Sequence, residues 1–359
     1  MQHQVQAQGN RSSAETTPLS GLWPLGLFLA IAVAGLFIVK WNPYYHKAFL
    51  AAAKHSIGSS ILSGSMPVAP TPSWGAALEY TLAYFKAVWK AILLGLTLGS
   101  LIETLLPKGW LQRFLGKGNF RSTFLGGMAA IPSMMCTCCA APMAVGLRKQ
   151  SVSVGSALAY WLGNPVLNPA TFVFMGFVLS WPLAIFRLVF GLIIVFGVAY
   201  AANRLAGDEK IMPPVSAAPL LRQEGHFLVR WLKSFYRLAV DSLPIYILMV
   251  VLLGALRAWI FPQVAPEWEN SFWVILAFAV AGTFFIIPTA AEIPIVQTML
   301  SFGLGIGPAA ALLLTLPTIS LPSLFIVKKA FPARVLVFVT ISVIALGLAG
   351  GLIAKFVFL

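Results

Sequence analysis

The chain has 359 residues, 59% of them hydrophobic and only 9% charged, with a formal net charge of +14. A soluble domain with that composition would expose too much apolar surface to stay in solution, which points to a lipid environment. The Lys and Arg residues are spread between apolar segments and form no single basic face. They therefore report membrane topology, and no nucleic-acid partner is expected.

Taken in chain order, apolar segments approaching the roughly 20 residues that cross a hydrocarbon core lie at 22–39, 87–106, 152–179, 183–202, 240–261, 304–327 and 335–358. The first lacks a convincing small-residue cleavage site and reads as a retained helix. Three loops carry the positive charge: Lys108, Arg113, Lys117 and Arg121; Arg204, Lys210, Arg222, Arg230 and Lys233; and Lys328, Lys329 and Arg334. The positive-inside rule places all three in the cytoplasm and the turn with Glu267 and Glu269 outside, as in a multi-pass inner-membrane (cytoplasmic-membrane) protein. Trp110, Trp181, Trp231, Trp259 and Trp268 fall near span ends, as interfacial anchors do.

The two halves share a spacing of Gly and Pro. Gly99 and Pro107 match Gly254 and Pro262; Gly126 and Pro132 match Gly282 and Pro288; Pro142, Gly155 and Pro165 match Pro294, Gly307 and Pro317. The register breaks once, because Pro132 and Pro142 are ten apart and Pro288 and Pro294 six apart. Matched loops of opposite charge imply inverted repeats, with a substrate site where broken helices meet. The expected organisation is an N-terminal tail, first transmembrane helix and external loop (1–73), permease repeat 1 (74–205), a cytoplasmic linker (206–230) and the inverted repeat 2 (231–359). The expected fold is an all-α polytopic membrane protein with re-entrant hairpins at 123–147 and 274–300 and an extra N-terminal transmembrane helix.

All three cysteines, Cys136, Cys138 and Cys139, lie between Pro132 and Pro142 at the turn of the first hairpin. Soft sulfur ligands grouped at a helix break suit a thiophilic solute, whereas cysteines scattered as small core residues would not cluster. His3, His46, His55 and His226 read as loop or terminal residues, which leaves no fourth ligand for a zinc site, so neither metal nor cofactor is expected. Glu292 is the one acidic residue expected at a midplane turn, and it is a candidate for proton coupling or for capping free amides. Asp241 reads as a local partner of Arg237, and Glu103 as a neighbour of Lys108 near a helix end. Two Asn-Pro steps, Asn164-Pro165 and Asn168-Pro169, interrupt one span and offer amides to a solute. The segment Leu316-Pro317-Thr318-Ile319-Ser320-Leu321-Pro322 occupies the matching place. There is no hydrolase triad and no ATP-binding motif.

Cys136-Thr137-Cys138-Cys139-Ala140-Ala141-Pro142, followed by Gly146-Leu147-Arg148-Lys149, Gly155-Ser156-Ala157-Leu158-Ala159 and Asn164-Pro165-Val166-Leu167-Asn168-Pro169, resembles the ArsP-type predicted permease family. The resemblance runs from about Ala87 to the C-terminus and is strongest between Pro132 and Thr171. It implies an efflux permease for trivalent organoarsenicals whose paired cysteines map onto Cys136 and Cys138; Cys139 departs from the family pattern. The expected function is secondary export of a thiol-reactive solute, bound by Cys136, Cys138, Cys139, Asn164 and Asn168. Alternatives are a carrier or channel for a soft metal ion or small sulfur anion, or a membrane-embedded thiol enzyme.

Overall fold

The computed structural model describes residues 23–62, 70–106, 108–207, 226–261 and 270–358. Glu267, Glu269, Trp268, Pro107, Pro262, Lys210, Arg222 and His3 lie outside them, as does most of the expected linker. The described residues form helices and no strand. Five helices are long and apolar enough to span a bilayer: Trp23–Lys54, Trp74–Leu105, Trp181–Ala206, Phe227–Ile260 and Ala333–Val357. This is an all-α, multi-pass membrane protein.

The first span does not stop at residue 39. Helix α1 (Trp23–Leu36) passes through a π turn (Phe37–Trp41) into α2 (Asn42–Lys54). The turn absorbs Pro43, which cannot donate to the helical ladder, and Asn42 N–H reaches back to the Phe37 carbonyl. The polar residues that suggested a helix end, Lys40 and His46 among them, are therefore helical.

Helix α3 (Trp74–Leu105) leads to the short α4 (Lys108–Leu115) and then to α5 (Phe120–Ala130), α6 (Thr137–Lys149), α7 (Val154–Val166) and α8 (Pro169–Val178). Helix α9 (Trp181–Leu192) continues through a π turn (Ile193–Val198) into α10 (Ala199–Ala206). The second half repeats the sequence of elements: α11 (Phe227–Ile260), α12 (Phe272–Phe284), α13 (Glu292–Ser301), α14 (Ile306–Thr315), α15 (Leu321–Val327) and α16 (Ala333–Val357).

Packing fixes the direction of each piece. Gly155 lies on Thr123, Gly126 on Ser156 and Gly163 on Ala130, so α5 and α7 pack directly and run parallel, while α6 returns against α3 and α7. Ser153 N–H donates to the Leu115 carbonyl over 2.9 Å, closing the base where the segment both enters and leaves. This is a re-entrant hairpin. Gly307 against Ile275 and Gly282 against Thr315 give the same arrangement for α12, α13 and α14.

Helices α3 and α11 pair antiparallel, as shown by Glu79 with Arg257 at one end, the Tyr84 and Tyr246 hydroxyls 2.7 Å apart, and Glu103 accepting from Ser234 over 2.8 Å at the other. Each of these helices feeds a hairpin, so the two hairpins enter from opposite faces and the architecture is inverted. The basic segments collect on one of these faces. Arg334 donates to the Ala206 carbonyl, Arg148 to the Ala330 carbonyl and Asn203 to the Gly118 carbonyl, which ties all three loops together. There Glu103 pairs with Lys149 at 2.6 Å, and Asp241 pairs with Lys329 at 2.7 Å and not with Arg237. Helix-turn spacing suggested the local partners; charges brought across the fold supply the observed ones.

Candidate substrate site

Both hairpin tips turn by the same device. Two residues beyond Pro132 and Pro288, the chain takes left-handed backbone at Met134 (φ 50°) and Ala290 (φ 67°), a conformation disfavoured for residues with a Cβ. The matched prolines therefore do mark equivalent tips. The extra residues of the first hairpin follow the turn, in the stretch that carries the sulfurs.

Cys136 is the N-cap of α6, and Cys138 and Cys139 lie in its first turn. The first amides of a helix have no acceptor within it, and the dipole at that end favours negative charge. Spacing along the helix decides which sulfurs meet. Residues three apart share a face, and Cys136 Sγ stands 2.6 Å from Cys139 Sγ. Cys138 points elsewhere: its sulfur is 3.2 Å from the Ser320 hydroxyl in the second repeat. All three are buried free thiols. The family resemblance implies the pair Cys136 and Cys138, whereas the fold joins Cys136 to Cys139 and sets Cys138 across the repeat interface. No three His, Cys, Asp or Glu residues converge as metal ligands among the described residues.

The α3 backbone forms one wall of this turn. Gly95 and Gly99 are four apart, and a Cβ at Gly95 would lie 2.2 Å from the Cys139 carbonyl oxygen. Small residues at such spacing let two helices in lipid approach to backbone contact. Trp161 donates to the Thr137 carbonyl over 3.0 Å, fixing the other side of the turn.

Asn164 and Asn168 separate into different roles. Asn164 remains helical, because Pro165 falls in the last turn of α7 and removes only one ladder bond there. Its side chain accepts from the Met135 amide at 3.4 Å and donates to the Tyr160 carbonyl at 2.8 Å, steadying the hairpin tip. The break itself falls at Leu167 and Asn168. Asn168 caps α8 through Ala170 N–H at 3.0 Å, while its Nδ2 and the Thr171 hydroxyl are buried without hydrogen-bond partners. In the second repeat the break at 316–320 ends on Ser320, which caps α15 in a reciprocal box with Ser323.

Glu292 opens α13 at the second tip. Its carboxylate is 2.8 Å from Arg187 of α9, and each side chain is only 1% exposed. Arg187 also donates to the Pro165 carbonyl over 3.2 Å and lies over the Phe172 ring. Charge counting overlooked this arginine, although an isolated cation inside the span 183–202 is a signal in itself. Lys40 is a second omission, since it stood one residue past the expected helix end. Its ammonium donates to the Thr289 hydroxyl at 3.1 Å, and the neighbouring Trp41 donates to the Pro132 carbonyl at 2.7 Å. The N-terminal helix thus grips both hairpin tips.

One small cavity collects the four breaks. Cys136 and Thr137 of the first tip, Pro165 before the first broken helix, Ile287 to Ala290 with Glu292 of the second tip, and Leu316 with Pro317 of the second broken helix all line it. Irregular backbone at membrane depth is tolerated where it lines a cavity or is buried in protein, and this is where broken-helix transporters hold their substrates.

A family model described as a predicted permease, ArsP_1, matches residues 25–162 and 133–356. The chain belongs to this permease family. The permease is 51% identical to the UPF0718 protein YraQ of Escherichia coli K12, an alignment covering 91% of this chain and 93% of that protein. It is 20% identical to the UPF0718 protein MJ0584 of Methanocaldococcus jannaschii, over 67% of this chain and 84% of that protein. No solved structure matches the permease.

Proposed function

We propose that this permease is a secondary exporter of a thiol-reactive small solute, with trivalent organoarsenicals as the leading class. The observation that carries the reading is the dithiol of Cys136 and Cys139, 2.6 Å apart at a helix N-terminus, with Cys136 on a cavity formed by four helix breaks. Two adjacent sulfurs on one helix face suit a soft trivalent centre that exchanges one sulfur ligand for another. Cys138, beside Ser320, is the third sulfur and reports the fit between the repeats. Asn164 holds the tip in place, and Asn168 presents an unpartnered amide.

The repeats, 74–205 and 231–359, would rock about this site, with the basic face in the cytoplasm by the positive-inside rule and the protein in the cytoplasmic membrane. Glu292 is the candidate proton-coupling group. Its pairing with Arg187 means that a proton would act by opening the ion pair, which frees the second tip from α9.

The test is flux of methylarsenite in sealed proteoliposomes, with arsenite, Cu(I) and thiosulfate as comparison solutes. Cys136→Ser and Cys139→Ser should each abolish flux at normal folded yield, since a hydroxyl does not replace a thiolate toward a soft centre. Cys138→Ser should retain part of it. Full flux in the Cys136/Cys139 double variant would end the ligand assignment, and solute turnover by detergent-solubilised protein without a second compartment would favour a thiol enzyme.

A further inference from the structure

A second, larger cavity of about 460 Å³ lies on the face opposite the basic loops. It is bounded by α2, the turn at 57–62, the start of α3, the end of α11 and the tip of the second hairpin. Pro288, Thr289 and Ala290 line this cavity on one side and the thiol cavity on the other. The tip of the second hairpin is therefore the partition between them.

The charge of the lining is one-sided. Lys40, Lys47 and Arg257 face a single carboxylate, Glu79. Glu79 is a weak counterweight, being 75% exposed and 3.4 Å from Arg257. The Arg257 side chain is 4% exposed, stacked over the Tyr80 ring, and its Nε is buried with no hydrogen-bond partner. Lys47 makes no ion pair or hydrogen bond among the described residues. A buried guanidinium with an unused donor, in a cavity of excess positive charge, needs an acceptor that carries negative charge. Ser59 and Ser60 add hydroxyl-bearing residues to the same lining.

We propose that this cavity binds a small oxyanion of one or two charges, held by Arg257 and Lys47 with Lys40 at its inner end. Its place in a transport path rests on the permease reading above, but the binding site does not. Anionic oxygens could come from a free anion or from a lipid headgroup, and the proposal is for the free anion.

The test uses the full chain in nanodiscs of purely zwitterionic lipid, titrated calorimetrically with thiosulfate and, separately, inorganic phosphate at low ionic strength. Saturable binding of at least one of them is expected. It should weaken about tenfold or more in Arg257→Gln and in Lys47→Gln, as loss of a charge-assisted contact implies. Glu79→Gln removes an exposed competing carboxylate, keeps the fold and should tighten binding, so the idea stays testable if Arg257→Gln misfolds. Binding should be unchanged in the Cys136→Ser/Cys139→Ser variant, which separates this site from the thiol site. The proposal is overturned by no saturable binding, by binding indifferent to all three charge substitutions, or by a response only when phosphatidylglycerol is added to the nanodiscs, which would make the cavity a headgroup pocket.

Discussion

Replacing Glu292 by Gln keeps the shape of the second tip and removes its charge, leaving the Arg187 guanidinium buried opposite an amide. Breaking a buried ion pair by neutralising one partner costs about 3–5 kcal/mol, because the remaining charge is uncompensated. Two contacts survive in this protein, the Pro165 carbonyl at 3.2 Å and the Phe172 ring 5.8 Å from the guanidinium. The expected loss is therefore near the low end, about 3 kcal/mol, or roughly a hundredfold in the folding equilibrium. Arg187→Met should cost a similar amount by stranding the carboxylate, whose Oε2 has no hydrogen-bond partner. Combined with Glu292→Leu, the same change should recover most of the loss, since an apolar replacement of a buried pair is often neutral or better. Equilibrium unfolding in mixed SDS micelles, followed by tryptophan fluorescence, measures the cycle. If Glu292→Gln cost under about 1 kcal/mol and the two sites were simply additive, the pair would carry no coupling and the reasoning would fail. In sealed vesicles, Glu292→Gln should also lose the response of flux to an imposed pH gradient; an unchanged response would leave Glu292 a purely structural partner of Arg187.

Two further outcomes test the frame around the site. Gly95→Ala places a methyl group 2.2 Å from the Cys139 carbonyl oxygen, so α6 must shift; stability should fall by about 1–3 kcal/mol and flux should fall more than in Gly75→Ala, where the nearest atom is 3.9 Å away. In a cysteine-free background, single cysteines at Arg121, exposed beside the buried Ser122, and at Lys149 should react with an impermeant maleimide from the cytoplasmic side and one at Ser301 from the outside. Labelling of 149 and 301 from one side would contradict the assigned orientation.

The chain's periodic Gly and Pro marked the broken helices and both hairpins, because those residues act on the backbone locally and leave the same spacing in each repeat. What sequence could not supply was partnership across the fold. Asp241 and Glu103 looked satisfied by neighbours close in sequence and are held by Lys329 and Lys149. The pairing of sulfurs depended on where α6 begins: with Cys136 as the cap, Cys139 shares its face and Cys138 does not. Arg187 was legible in principle as a lone cation in an apolar span. Lys40 was hidden because a π turn carried the helix past the polar residues that seemed to end it.

The two hairpins share a turn but not a cargo, and that asymmetry bears on mechanism. The first tip carries sulfur, packed so closely on Gly95 that its helix has little room to move. The second tip carries the carboxylate, separates the two cavities, and is held by side-chain contacts: Glu292 to Arg187, Thr289 to Lys40, and the Ile286 carbonyl accepting from Tyr80 over 2.5 Å. Contacts between polar side chains can be exchanged for water or solute, whereas backbone-to-backbone packing between helices resists displacement. If the permease works as proposed, the second tip is the element that would move, against a first tip held by backbone packing. The ion pair and the lysine contact would then set the free energy of that opening.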